Sequence, residues 1–126
     1  MINKEDANIL IVDDIEDNRY TLERRLKRDG YKNIFLAEGG KKALDMVVEN
    51  KFDLILLDLM MPDMSGLEVL KNLKGDPLQR SIPVIMVTAS DEVETAAECI
   101  INGADDFITK PFNGTLLKAR VGASLE

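Results

Sequence analysis

Five residues of this chain have side chains suited to metal or group-transfer chemistry: Asp13, Asp14, Asp58, Thr88 and Lys110. Each stands just beyond a short apolar run. Asp13-Asp14 follow NILIV, Asp58 follows DLILL, Thr88-Ala89-Ser90 follow PVIMV, and Thr109-Lys110-Pro111 follow DFI. Carboxylates brought together repel, and each raises its neighbours' pKa unless a cation joins them. An all-oxygen site with few protein ligands and open positions suits Mg²⁺, which keeps waters and recruits phosphate oxygens. Such an ion could neutralise a phosphoryl group moving onto a carboxylate oxygen, with Lys110 adding positive charge and Thr88 a hydroxyl donor. Singly, these residues have plainer roles. An Asp after a strand is often a turn former or helix cap, Thr88 alone is a strand-end hydroxyl, and Lys110 alone is a solvated lysine. Their joint placement argues for chemistry.

The elements that must position them alternate along the chain. Apolar runs at Asn8 to Val12, Asn33 to Ala37, Asp53 to Leu57, Pro83 to Val87 and Asp106 to Ile108 predict strands. ILIV, LILL and VIMV are apolar at every residue, the pattern of a parallel sheet covered on both faces. Between them, helical spacing is expected from Ile15 to Arg28, with Ile15, Leu22 and Leu26 on one side and Gly30 beyond its end. Lys41 to Glu49 carries Ala43, Leu44, Val47 and Val48. Ser65 to Leu73 opens with Ser65 and Glu68 at capping-box spacing, and carries Leu67, Val69, Leu70 and Leu73. Asp91 to Ile101 and Gly114 to Leu125 complete five helices. The expected fold is an α/β doubly wound, three-layer domain on a five-stranded parallel sheet. With strand order 2-1-3-4-5, ligands gather beyond the carboxyl ends of strands one and three, where strand order reverses. Both strands are followed by aspartates.

Composition narrows the chemistry further. The 126 residues suit one domain, expected to be 1–126, with 1–7 as a tail and 114–126 as the last helix. There is no histidine, which excludes Ser-His-Asp and Cys-His constellations and histidine-bearing zinc sites. One cysteine, Cys99, precludes an internal disulfide and a cysteine-only zinc site, and fits a reducing, cytoplasmic setting. A net charge of −7 argues against binding nucleic acid through phosphate contacts. No apolar run approaches the ~20 residues that span a bilayer, and MINKEDAN lacks a signal peptide's apolar stretch.

ILIVDD (9–14), DLILLDLMMPDMSGLEVL (53–70), IPVIMVTAS (82–90) and GADDFITKPF (103–112) resemble the response-regulator receiver domains of two-component signalling, and are similar to the chemotaxis response regulator. The resemblance runs from about Asn8 to Leu125, with Thr88 30 residues after Asp58 and Lys110 22 after Thr88. It implies a flavodoxin-like receiver fold with Asp58 as phospho-acceptor. Asp14 and Asp58 would ligate Mg²⁺ (or Mn²⁺) directly, Asp13 through water and Met60 through its backbone carbonyl. Thr88, Lys110 and the Ala89 backbone N–H would contact the phosphoryl group. Phe107 would be the aromatic switch, lacking the hydroxyl of a tyrosine. Lys110-Pro111 would be a cis peptide, Pro62 and Gly66 turn residues. Met60 and Ser90 fall at variable positions that influence autodephosphorylation.

The partners so implied are a histidine kinase or a histidine phosphotransfer protein, then an output domain or effector, with homodimerisation through helix 4, strand 5 and helix 5 possible. The chain is expected to act only on itself and not as an enzyme in the ordinary sense. A last helix still in phase at Leu117 and Val121 favours a receiver cut from a longer protein over a stand-alone one, and Leu125-Glu126 reads either as native or as a cloning remnant. Two other classes compete. A phosphohydrolase of the haloacid-dehalogenase type wants an acid two residues after its nucleophile, where Met60 stands. A flavodoxin-like cofactor module wants a Ser/Thr/Gly loop after strand one, where Asp13-Asp14 would repel phosphate.

Overall fold

The computed structural model describes residues 2–126. Strands β1 (Asn8–Val12), β2 (Asn33–Ala37), β3 (Leu54–Asp58), β4 (Val84–Ala89) and β5 (Asp106–Lys110) alternate with helices α1 (Glu16–Arg28), α2 (Gly40–Glu49), α3 (Gly66–Gly75), α4 (Val93–Ile101) and α5 (Gly114–Ser124). The sheet is parallel, in the expected order β2-β1-β3-β4-β5.

Period-two alternation along the inner strands builds two cores. Leu10, Val12, Ile55, Leu57, Val84 and Met86 point to one face, where Val47 of α2, Leu70 of α3 and Cys99 of α4 cover them. Ile9, Ile11, Leu54, Leu56, Ile85 and Val87 point to the other, under Leu22 and Leu26 of α1 and Leu117 and Val121 of α5. β3 is buried at all five residues, whereas the edge strand β2 keeps only Ala37 fully inside. Each fully buried Leu or Ile contributes about 1.5–3 kcal/mol, so the central strands hold the sheet edge rigid.

Some local expectations shift. β3 includes Asp58, β4 runs on through Ala89 and β5 through Lys110, so residues expected beyond these strands are their last members. Backbone pairing continues past the apolar run, with Thr88 against Thr109 and Ala89 against Lys110. Ile15 is not part of α1's buried side. It stands at the N-cap, 50% exposed, and Val48 is 77% exposed. The segment expected as one helix from Asp91 divides into a 3₁₀ turn, Ser90–Glu92, and α4. The Ser65 hydroxyl accepts from the Glu68 N–H at 3.2 Å, but Glu68 returns to the Ser65 hydroxyl rather than to its backbone, giving half a capping box. No helix is long and apolar enough to cross a membrane among the described residues.

Candidate functional site

Strand register does most of the assembly. Val12 lies beside Leu57, so Asp13 and Asp58 leave neighbouring strands at the same level. Asp58 pairs with Val87, and Ala89 with Lys110, which carries Thr88 and Lys110 to the same edge. One carboxylate oxygen each from Asp13, Asp14 and Asp58 lies within 4.8 Å of the others. Lys110 Nζ is 3.0 Å from Asp58 Oδ1 and 3.5 Å from Asp13 Oδ2. Asp13 is 1% exposed, Asp58 5% and Thr88 0%, while Asp14 is more open to solvent. The Lys110-Pro111 bond that ends β5 is cis.

The backbone secures several of these positions. Asp13 Oδ1 accepts from the Ile15 N–H at 2.9 Å, so the turn-forming role open to one member of the acidic pair is filled by Asp13, through one oxygen only. Arg19 donates to the Asp13 carbonyl at 2.7 Å and ties α1 to the end of β1. Gly66 does more than make a turn. Its N–H donates to the Leu59 carbonyl at 2.7 Å, and a Cβ there would run into the Asp58 carbonyl oxygen and the Leu59 Cα. Close approach of α3 to the back of β3 therefore requires glycine at this position.

The charges do not balance. Three carboxylates face one ammonium, leaving two negative charges over. Burial pushes the Asp58 carboxyl up to about 6; the Lys110 hydrogen bond opposes this, and the nearby charges of Asp13 and Asp14 add to it. Burial pulls the Lys110 ammonium down, but its hydrogen bond to Asp58 and the two carboxylate charges outweigh that and raise it. Lys110 is thus firmly protonated yet insufficient for the acids it serves. Of the four buried side-chain polar atoms without a hydrogen bond among the described residues, two belong to this edge of the sheet, Asp13 Oδ2 and Thr88 Oγ1. Asp13 Oδ2 has only the more distant Lys110 ammonium for a counter-charge, and Thr88, one residue beyond the Val87 that pairs with Asp58, has a hydroxyl hydrogen to spare. Such a donor set fits a divalent oxygen-seeking ion and an anionic group beside it.

Other expected residues are placed as follows. Met60 follows the acidic strand end and is 61% exposed. Ala89 directs its N–H not to open space but to Glu92 Oε1, at 2.8 Å. Phe107 is half-buried against the core beside α2, α3 and α4, and its carbonyl accepts from Arg120. Sequence reasoning passed over Asp63, which accepts from the Gly40 and Lys41 N–H groups at 3.2 and 3.0 Å and so holds the loop after β3 against the start of α2. It also missed Asn113, whose Oδ1 caps α5 through Thr115 and Leu116. Asn113 is an ordinary N-cap signal before a helix; Asp63 caps at a distance and leaves no local signature.

Comparison with known proteins bears on the same residues. Residues 9–122 match the family described as the response regulator receiver domain. The chain is 44% identical over 115 residues to the response regulator PleD of Caulobacter vibrioides, covering 91% of this chain and 25% of that protein. It is also 44% identical over 117 residues to the phosphate regulon transcriptional regulatory protein PhoB of Pseudomonas aeruginosa, covering 93% and 51%. The chain thus spans between a quarter and a half of these relatives. Among solved structures, Vibrio cholerae chemotaxis protein CheY4 superposes with a TM-score of 0.86 at 30% identity, covering 94% of this chain and 98% of that one. The receiver domain of a Syntrophus aciditrophicus signal transduction histidine kinase gives 0.85 at 36%, covering 94% and 89%.

Proposed function

The chain belongs to the response-regulator receiver family, and from that membership we propose that it is a phospho-accepting switch with Asp58 as its acceptor. Asp14 and Asp58 would hold Mg²⁺ (or Mn²⁺) directly, Asp13 through a water and Met60 through its backbone carbonyl. When bound, the ion supplies positive charge for the phosphoryl oxygens and joins the repelling carboxylates. The unsatisfied Asp13 Oδ2 and the two surplus negative charges support this assignment.

The donor is a phosphohistidine on a sensor kinase or phosphotransfer protein, since this chain has no histidine of its own. An Asp58 oxygen attacks phosphorus. The new O–P bond forms as the P–N bond breaks, and the electron pair stays with the donor imidazole nitrogen. Lys110 provides the ammonium beside the incoming group, and the buried Thr88 hydroxyl gives its unused hydrogen to a phosphoryl oxygen. Phe107 then turns into the space that Thr88 yields, and the face of α4, β5 and α5 changes. That face has apolar surface to offer, since Val93, Ile100, Ile101 and Leu116 are all exposed. An output domain, an effector or a second copy of the chain reads the change. The chemistry is self-directed, ends with autodephosphorylation, and belongs to the cytoplasm.

The observation that carries the reading is the Asp58 carboxylate, buried with Lys110 as its one hydrogen-bond partner among the described residues and two further carboxylates beside it. Incubation with acetyl phosphate and Mg²⁺, followed by intact mass, tests it. The parent chain gains one phosphoryl group and Asp58→Asn gains none. An Asp58→Asn protein labelled as well as the parent would sink the assignment.

A further inference from the structure

Thr88 and Ala89 end β4 with two donors at the site, and the donors differ in state. The Thr88 hydroxyl is buried and unpartnered. The Ala89 N–H is taken. One turn onward, the Glu92 side chain folds back and its Oε1 accepts that N–H at 2.8 Å. Glu92 closes the 3₁₀ turn Ser90–Glu92, and α4 begins at the next residue, Val93. Glu92 itself is half-buried, so the contact is not a loose surface pairing.

A carboxylate oxygen and a phosphoryl oxygen ask the same thing of a backbone N–H, a charge-assisted hydrogen bond. Both are anionic, so they exclude each other from one donor by charge as well as by space. We propose that Glu92 is a resident stand-in for the phosphoryl group, holding the Ala89 N–H in the resting state and driven off it when Asp58 is modified. This rests on the reading of Asp58 as acceptor and of the Ala89 N–H as a phosphoryl contact, and it names the residue that competes for that contact. It also gives the modification a direct line to α4. Losing the Glu92 bond frees the only side-chain anchor recorded between the 3₁₀ turn and the end of β4 among the described residues. By linkage, whatever the latch contributes to the resting turn is subtracted from the affinity for the phosphoryl group. Glu92 is accordingly a positioning residue for the switch, acting through Ala89.

The test uses beryllium fluoride with Mg²⁺ as a phosphoryl mimic, titrated into the parent, Glu92→Gln, Glu92→Ala and Asp58→Asn chains. Glu92→Ala, with no competing acceptor, should bind about tenfold more tightly than the parent, the equivalent of one hydrogen bond to a charged group. Glu92→Gln keeps the shape with a neutral acceptor and should fall between. In the parent, the Glu92 side-chain carboxyl ¹³C resonance should move as the mimic binds, and should stay still in Asp58→Asn. A purely structural role for Glu92 predicts lower affinity in both variants and no such resonance shift. Equal or weaker binding by Glu92→Ala and Glu92→Gln, with the parent binding normally, overturns the latch alone. Failure of the parent itself to bind the mimic overturns the acceptor assignment beneath it.

Discussion

Aspartates stand at both ends of this sheet, in opposite circumstances. At the amino end, Asp53 Oδ2 accepts from the Asn8 N–H and Asp105 Oδ2 from the Val84 N–H, each at 2.8 Å. At the carboxyl end, among the described residues, Asp13 Oδ2 has no hydrogen bond and Asp58 leans on Lys110 alone. Strand polarity explains the difference. Parallel strands all leave their first N–H groups free at one end and their last carbonyls at the other. An acid at the N–H end is satisfied by the chain itself. At the carbonyl end it sits among acceptors and must find positive charge elsewhere. Within one loop the same contrast recurs. Backbone N–H groups at the start of α2, with that of Lys41 foremost, hold the exposed Asp63 below the usual carboxylate range, while burial lifts Asp58 to about 6 five residues earlier. Residue type does not set how readily an aspartate ionises here; burial and the backbone N–H groups within reach do.

That contrast is open to attack first through pH, where the effect is largest. Asp58 in the folded chain holds its proton up to about 6 against an ordinary 3.8. A carboxyl raised on folding binds protons more tightly in the native state, so its contribution to stability is greatest below pH 4. That contribution is lost as pH rises from 4 to 6 and stays lost above. A rise of this size corresponds to at most about 3 kcal/mol. Denaturant unfolding in EDTA across this range should show the decline, and Asp58→Asn should flatten it and unfold later than the parent at pH 7. A parent and variant with parallel pH profiles would mean that the carboxyl end is no more strained than the amino end.

The next largest effect comes from the packing behind the acid. Gly66→Ala puts a methyl group against the Asp58 carbonyl and the Leu59 Cα. Overpacking against backbone should cost about 1–3 kcal/mol and should slow labelling by acetyl phosphate, because Asp58 is displaced with its strand. Full stability and full labelling in Gly66→Ala would show that α3 can retreat without disturbing the acid.

The strand polarity that decides these outcomes was legible in the sequence. Runs such as LILL and VIMV demand burial on both faces, and burial on both faces demands a parallel sheet with helices above and below. From there the carboxyl-edge gathering of Asp13, Asp14, Asp58, Thr88 and Lys110 followed from topology. What lay hidden has a common cause. Asp63 reaching Gly40, Gly66 lying on Asp58 and Arg19 reaching the Asp13 carbonyl are tertiary contacts, and neither periodicity nor composition records them. Glu92 escaped notice because only coordinates show that its side chain folds back rather than facing water. Ile15 satisfies helical spacing with Leu22 and Leu26 yet stays outside the core because it stands at the helix end.

The smallest expected effects lie at the amino end, and there they carry the comparison's other half. Asp53→Ala strips the Asn8 N–H of its acceptor, and Asp105→Ala does the same to Val84. Each bond joins the start of one strand to the residue before a neighbouring strand. Asn8 is partly exposed, so the cost there should be about 1 kcal/mol, as for a lost helix cap, and somewhat more at the fully buried Val84. Asparagine at either position keeps a carbonyl acceptor and should recover most of that. Neither change touches an atom at the opposite edge, and the buried strands between transmit little, so labelling at Asp58 and its pH profile should match the parent. Urea unfolding combined with acetyl phosphate labelling on the same samples reads both quantities. A loss of labelling in Asp53→Ala without a loss of stability would mean that the two ends are coupled through β1 and β3, and that strand polarity alone does not separate the acids of the two edges.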